Sequence, residues 1–162
     1  MKLDFSNVLI RPKRSTINSR SDVSLERTFK FKYSPLEWKG TPIISANMDT
    51  TGTFEMYQVL KKHKIVTATH KFYNELDYLE ALNEGGLDPD YFMVSTGIGP
   101  GSLERLEKIF KYIDCHWICI DIANGYIKSL VDFCKKVREK FPKKRIVAGN
   151  VVTREMVEEL IL

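Results

Sequence analysis

No stretch of this chain approaches the roughly 20 consecutive apolar residues that a membrane-spanning helix needs, and Met1-Lys2 leads into Leu3-Asp4-Phe5 without the apolar segment of a secretory signal. A cytoplasmic location and no membrane partner are the expectation. Cysteine is scarce: Cys115, Cys119 and Cys134 are an odd number with no CxxC spacing, which argues against a disulfide framework and against a zinc site. Cys119 lies in an apolar run and Cys134 on an apolar helical face, so both read as inert core thiols. The sequence also lacks HExxH, a legible Ser/His/Asp arrangement, a P-loop and GxGxxG. A strong excess of one charge is missing too: 25 Lys and Arg against 21 Asp and Glu leave a net +4. The basic groups Arg11-Pro12-Lys13-Arg14, Arg20, Lys135-Lys136 and Lys143-Lys144-Arg145 are dispersed among acids. The favoured reading is a solvated surface, with attraction of phosphorylated small molecules as the alternative and no nucleic-acid partner expected.

What is present is a regular alternation. Thr28–Tyr33 alternates like a strand with one apolar face and predicts a hairpin or flap ahead of the main fold. Short apolar, strand-like runs then follow at 42–46, 65–69, 92–95, 117–120 and 146–148, too short for helices. Between them lie helical periodicities. Thr53 is placed to cap the first, with Phe54, Met56, Tyr57 and Leu60 inside; Asn74 the second, with Leu76, Leu79 and Leu82 inside. Ser102 is read as the cap of the third, with Leu103, Leu106, Ile109 and Phe110 inside. The fourth carries Leu130, Phe133, Cys134, Val137 and Phe141 and stops at Pro142; Thr153 caps the fifth, through Met156, Val157 and Leu160.

Five βα units spaced by roughly 25 residues, with strands apolar on both faces, predict a parallel sheet covered by helices. Periodicity leaves two architectures open, a doubly wound sheet and a (β/α)8 barrel. A barrel needs eight units, so on that reading the chain is truncated after about five. In either fold ligands bind beyond the carboxyl ends of the strands. Those ends carry Asn47-Met48-Asp49, His70-Lys71, Thr96-Gly97, Asp121 through Gly125, and Gly149-Asn150, a polar rim at one end of the sheet. Asp121, a carboxylate after a buried strand, needs partners: it caps a loop amide or accepts from a ribose or amide of a ligand. His70 and Lys71 suit phosphate binding or acid–base work, although a strand-end histidine is more often structural. Gly97 through Ser102 reads as a tight turn, with a phosphate cradle as the lesser alternative because Pro100 removes a donor.

The residues also carry a resemblance. Val8 through Ser15, Ser19-Arg20-Ser21, Ala46 through Thr50, Gly52 through Met56, His70-Lys71, Asp121 through Tyr126 and Ala148 through Thr153 together resemble GMP reductases of the IMP dehydrogenase/GMP reductase family, over essentially the whole chain. Three features point to the reductase branch. Only Asn83 to Tyr91 separates the second helix from the third strand, where dehydrogenases usually carry a long insert; Asn47 stands where they usually have proline; and Ala123-Asn124-Gly125-Tyr126 is reductase-like. Phe72, Thr51, Ile127 and Arg154 depart from the family pattern.

The resemblance implies a parallel (β/α)8 TIM barrel, with residues 1–162 as the N-terminal part of one domain: an irregular and hairpin segment over 1–40, then five βα units over 41–162. It implies NADPH-dependent reductive deamination of GMP to IMP and ammonia. A cysteine thiolate attacks C2 of the base, ammonia leaves, and hydride reduces the resulting thioimidate. Ser19, Arg20, Lys71, Asp121, Ile122 and Ala123 fall where the family contacts the cofactor, and Met48 falls near the nucleotide base. The complete protein is expected to use K+ and to form a homotetramer. The nucleophile of the family lies in a loop after the sixth strand, beyond Leu162, so no catalytic residue is assigned here. The isolated chain is therefore expected to show no turnover, checked by NADPH absorbance after addition of GMP; loss of absorbance in proportion to chain concentration contradicts this.

Overall fold

The structure is a computed structural model that describes residues 3–162. After two short 3-10 turns, Phe5–Asn7 and Arg20–Asp22, the strands β1 (Arg27–Phe31) and β2 (Ser34–Gly40) form an antiparallel hairpin. Five units follow: β3 (Ile44–Ser45) and α1 (Phe54–Leu60); β4 (Val66–Thr69) and α2 (Glu75–Gly85); β5 (Phe92–Thr96) and α3 (Ser102–Ile109); β6 (Trp117–Asp121) and α4 (Lys128–Lys140); β7 (Arg145–Gly149) and α5 (Arg154–Ile161). All five later strands are parallel and neighbour one another in chain order, β3-β4-β5-β6-β7. That order decides between the two architectures. A doubly wound sheet reverses its strand order partway, whereas right-handed crossovers taken in one direction keep every helix on one face and curl the sheet around the other. The sheet is a half-barrel.

Strand alternation assigns the faces. Phe92 packs its ring edge-on against Tyr57 of α1 at 5.7 Å and lies 6.2 Å from Tyr78 of α2, so it faces the helices. On β6, Ile118 and Ile120 alternate with Trp117, Cys119 and Asp121. Trp117, at the amino end of its strand, meets the hairpin: its ring stands 5.2 Å from Phe31 and 6.0 Å from Trp38, both edge-on. The hairpin thus floors the half-barrel, and Asp121, four residues on, stands at the open mouth.

The floor is held by one polar cluster. Arg145, at the start of β7, is only 2% exposed. It donates to Asp90 Oδ1 at 2.8 Å and to the carbonyls of Leu36 and Glu37 on β2, each at 3.1 Å. His116 Nδ1 meets the same Asp90 oxygen at 2.9 Å. The indole N–H groups of Trp38 and Trp117 both donate to the Asp90 carbonyl at 3.0 Å. Burial pushes the Asp90 carboxyl upward, but hydrogen bonds from His116 and Arg145 outweigh it and hold the group below its ordinary value. A depressed carboxyl stabilises the fold above its unfolded value, and that contribution is lost as pH falls through the folded value.

Several expectations are corrected. Lys143-Lys144-Arg145 is not a solvated patch: Arg145 is buried, and Lys144 is half-buried and donates to the Cys115 carbonyl. On α2 the buried residues are Tyr78 and Ala81, while Leu76 is 69% exposed. Tyr78 wins the inner position because its hydroxyl bonds Thr69 Oγ1 at 2.5 Å and its ring sits edge-on to Phe54 at 5.2 Å. Met56 and Val157 are likewise exposed, on the outer sides of α1 and α5. Ser102 does not cap α3: Gly101 does, in the left-handed conformation at φ 80°, which glycine adopts without penalty. Thr53 and Asn74 cap as expected, accepting from Met56 N–H and from Leu76 and Asp77 N–H. Thr153 holds the N-cap position of α5 without a side-chain bond to the helix.

Arg145→Met removes the floor's central donor and strands Asp90 and two carbonyls. Asp90 is partly solvated, which places the loss at the low end of the range for broken buried pairs, about 3 kcal/mol. A lower melting temperature together with red-shifted emission from Trp38 and Trp117 is the expected result; an unchanged melt contradicts the clamp.

Candidate functional site

The carboxyl ends of the five strands converge on the mouth. There Asn47, just after β3, donates from Nδ2 to Asp121 Oδ2 at 3.0 Å, tying the first strand of the half-barrel to the fourth. The loop after β3 folds back over β4: Gly52 and Thr51 N–H donate to the Met48 carbonyl at 2.6 and 3.0 Å, and His70 N–H donates to the Gly52 carbonyl at 2.9 Å. Gly52 is required by this approach, since a Cβ there would lie 2.3 Å from the Ala68 carbonyl oxygen. Met48, at the turn, is 59% exposed.

A second set of bonds laces the loop after β6 to the loop after β7. Ile122 N–H donates to the Gly149 carbonyl at 2.9 Å, Asn150 N–H to the Ile122 carbonyl at 2.8 Å, and Gly125 N–H to the Asn150 carbonyl at 2.9 Å. A Cβ on Gly125 would meet that same Asn150 oxygen at 2.4 Å. The Tyr126 hydroxyl accepts from Val152 N–H at 2.7 Å and Thr153 N–H at 2.9 Å, and bonding to Thr153 and Val152 pulls it below its ordinary pKa. The segment Asp121-Ile122-Ala123 is therefore held in a fixed shape from one side. Ile122 has both main-chain polar groups committed, so only its side chain is left for a ligand. Ala123 is exposed, and among the described residues its N–H finds no acceptor.

His70 ends a stack of rings: its imidazole lies 3.8 Å from Tyr73, whose ring lies 4.2 Å from Phe54. Its Nδ1 is buried and has no partner among the described residues. Lys71 beside it is exposed, with Nζ 5.9 Å from the ring of the exposed Phe72. Ser19 and Arg20 sit elsewhere. Ser19 caps the Arg20–Asp22 turn, sharing a 2.7 Å hydrogen bond with Ser21 Oγ. Both residues are exposed and make only local hydrogen bonds among the described residues. The structure thus gathers Met48, Lys71, Asp121, Ile122 and Ala123 at the strand ends and leaves Ser19 and Arg20 on the N-terminal segment. Gly97 through Ser102 is a tight turn, with Ser102 N–H donating to the Gly99 carbonyl at 3.1 Å.

None of the cysteines is poised as a nucleophile. Burial raises Cys115 to about 12, and Cys119 and Cys134 to about 11, so all three are protonated thiols at neutral pH. Cys119 is buried as the sequence predicts, Cys134, also expected in the core, is only half-buried, and Cys115 is buried too. Among the described residues no group of three or more His, Cys, Asp and Glu side chains could hold a metal ion, and no helix is long and apolar enough to cross a membrane. Two site features were missed by sequence reasoning. Asn47 had no assigned partner, because Asp121 lies 74 residues away. Tyr126 was read only as a family residue; its place after a strand-end glycine was the available signal.

A sequential parallel half-barrel, floored at the amino ends and polar at the carboxyl ends, defines a β/α-barrel protein, a class in which ligands bind at the carboxyl-end mouth. The chain belongs to the IMP dehydrogenase / GMP reductase domain family, whose model matches residues 2–162. It is 50% identical over 163 aligned positions to GMP reductase 2 of Homo sapiens, and 52% identical over 164 to the GMP reductase of Salmonella paratyphi C (strain RKS4594). GMP reductase 1 of Mus musculus is 50% identical over 163 positions. In each case all of this chain aligns with 47% of the relative, so the chain spans about half the length of the curated relatives it matches. Among solved structures, the inosine 5′-monophosphate dehydrogenase of Legionella pneumophila superposes with a TM-score of 0.78 at 26% identity, covering 96% of this chain and 46% of the other.

Proposed function

We propose that this chain forms the first half of the barrel of a GMP reductase, an enzyme that uses NADPH to convert GMP to IMP and ammonia. Identity of 50–52% to GMP reductases along the entire chain carries this reading. It outweighs the alternative of an IMP dehydrogenase-like enzyme, for which the structural relative above is 26% identical. Within a single TIM-barrel domain, residues 1–40 are an irregular and hairpin segment, of which the hairpin Arg27–Gly40 makes the floor, and residues 41–162 supply five βα units.

The mouth residues fit a nicotinamide dinucleotide by their chemistry. Asp121 has one carboxylate oxygen engaged by Asn47 and accepts no other hydrogen bond among the described residues. A carboxylate only accepts and repels phosphate, so Asp121 takes a neutral donor, a ribose hydroxyl or a carboxamide N–H. The free Ala123 N–H donates to an acceptor on the same ligand. Ile122 supplies an apolar side-chain contact. Lys71 meets phosphate oxygens as a point charge, and Ser19 with Arg20 supplies a further phosphate contact from the N-terminal segment. Met48, exposed over the mouth, packs against the purine of GMP. NADPH, when bound, supplies the hydride; these residues bind and orient it.

The complete protein is expected to work in the cytoplasm as a homotetramer with K+. The described residues offer no cluster of metal-ligating side chains.

Titration of the chain with NADPH, followed by nucleotide fluorescence, is expected to saturate, to weaken with added salt, and to weaken about tenfold in Lys71→Ala. Absence of saturable binding, or equal affinity in the variant, contradicts the cofactor assignment.

A further inference from the structure

We propose that Asn47 is a positioning residue, whose amide holds the Asp121 carboxylate in the orientation that receives the ligand; this rests on the cofactor reading above. A carboxylate can only accept, so the 3.0 Å contact to Asp121 Oδ2 fixes the Asn47 side chain with its NH2 group toward the aspartate. Asp121 sits half-buried at the end of β6, whose preceding four residues are all buried. Neither a cation nor a main-chain N–H reaches it among the described residues: the only hydrogen bond it accepts comes from Asn47. A carboxylate so placed would rotate to whatever solvent offered it. With Oδ2 held, Oδ1 is left as the free acceptor at the mouth.

The anchoring is rigid on both sides. Asn47 precedes the turn in which Thr51 and Gly52 N–H bind the Met48 carbonyl, and Gly52 is locked to the end of β4 through His70 N–H. Asp121 precedes Ile122, whose N–H and carbonyl are both tied to the β7 loop. The Asn47–Asp121 bond therefore joins two fixed loops across the mouth, and the direction of the carboxylate is set by its partner. Proline at position 47 removes this donor, so the bond separates a chain bearing asparagine there from one bearing proline. Aspartate at position 47 would set two carboxylates face to face.

The test uses the 162-residue chain with Asn47→Ala, Asp121→Asn, and the exchange variant Asn47→Asp/Asp121→Asn, each measured by thermal melting and by NADPH titration. The exchange variant restores an amide–carboxylate bond across the mouth but moves the carboxylate to the wrong strand. If Asn47 acts through Asp121, Asn47→Ala weakens NADPH binding about tenfold, and the exchange variant regains the melting temperature of the unsubstituted chain without regaining its affinity. Asn47→Ala should also add nothing to the loss already produced by Asp121→Asn. A merely structural bond predicts that affinity follows the melting temperature in the exchange variant, and that result overturns the proposal. Unchanged affinity in Asn47→Ala overturns the positioning role alone, with the cofactor reading intact. Failure of the unsubstituted chain to bind NADPH overturns the cofactor reading, and the role of Asn47 toward that ligand with it.

Discussion

A guanidinium buried beneath a half-open sheet is the constraint from which the rest of this molecule follows. Arg145 reaches from the start of β7 to Asp90, before β5, and to two carbonyls of the hairpin, so one side chain fixes three parts of the chain that are far apart in sequence. Its environment repays the desolvation of the charge: a carboxylate, two carbonyls, and the faces of Phe31 and Trp117 at 5.4 and 4.8 Å. This cluster and its paired indoles close the amino end of the sheet, and the polar strand ends lie at the opposite, carboxyl end.

The two ends then divide the work. At the floor, Arg145 Nη1 and Nη2, both indole N–H groups and the Asp90 carboxylate are paired within the protein, and Arg145 Nε alone of this cluster is buried without a partner. At the mouth the pairing is less complete. Asp121 has one partner, Ala123 keeps a free N–H, and His70 Nδ1 is buried without one. Such unmet hydrogen-bonding capacity is costly where nothing fills it, and it collects where a ligand is able to fill it. The lacing of the β6 and β7 loops and the Asn47 brace hold these groups still, so little ordering is left to occur on binding.

Much of this order is legible in the amino-acid sequence, and the gaps have physical causes. Strands β4, β5 and β6 announce themselves as short apolar runs because both of their faces are buried, whereas β3 and β7, at the two edges of the sheet, are apolar yet partly exposed. Strand β2 does not announce itself: it contains Pro35 and Gly40 and alternates weakly, since only Trp38 and Gly40 along it are buried. Leucines at helical spacing on α2 suggest an inner face that Tyr78 occupies instead, because a hydroxyl partner on β4 outweighs the apolar count. Arg145 looks like one more surface cation in a basic run until Asp90 and the hairpin close around it. Strand order, which separates a barrel from a doubly wound sheet, is a long-range property that periodicity does not contain. At the site, Asp121 stands out as a carboxylate after a buried strand, and the family pattern adds Lys71, Ile122 and Ala123. The partner of Asp121 is invisible for the same reason as strand order: only the curl of the sheet brings residue 47 to residue 121.

We propose that the dinucleotide binds at the carboxyl-end mouth organised around Asp121. Backbone amide NMR of the chain during NADPH addition tests it most directly. Chemical-shift changes should concentrate at Met48, Lys71 and Asp121 to Ala123 while Trp38, Asp90 and Arg145 stay still. Changes centred on the hairpin floor, or spread evenly over the helices, would contradict the account.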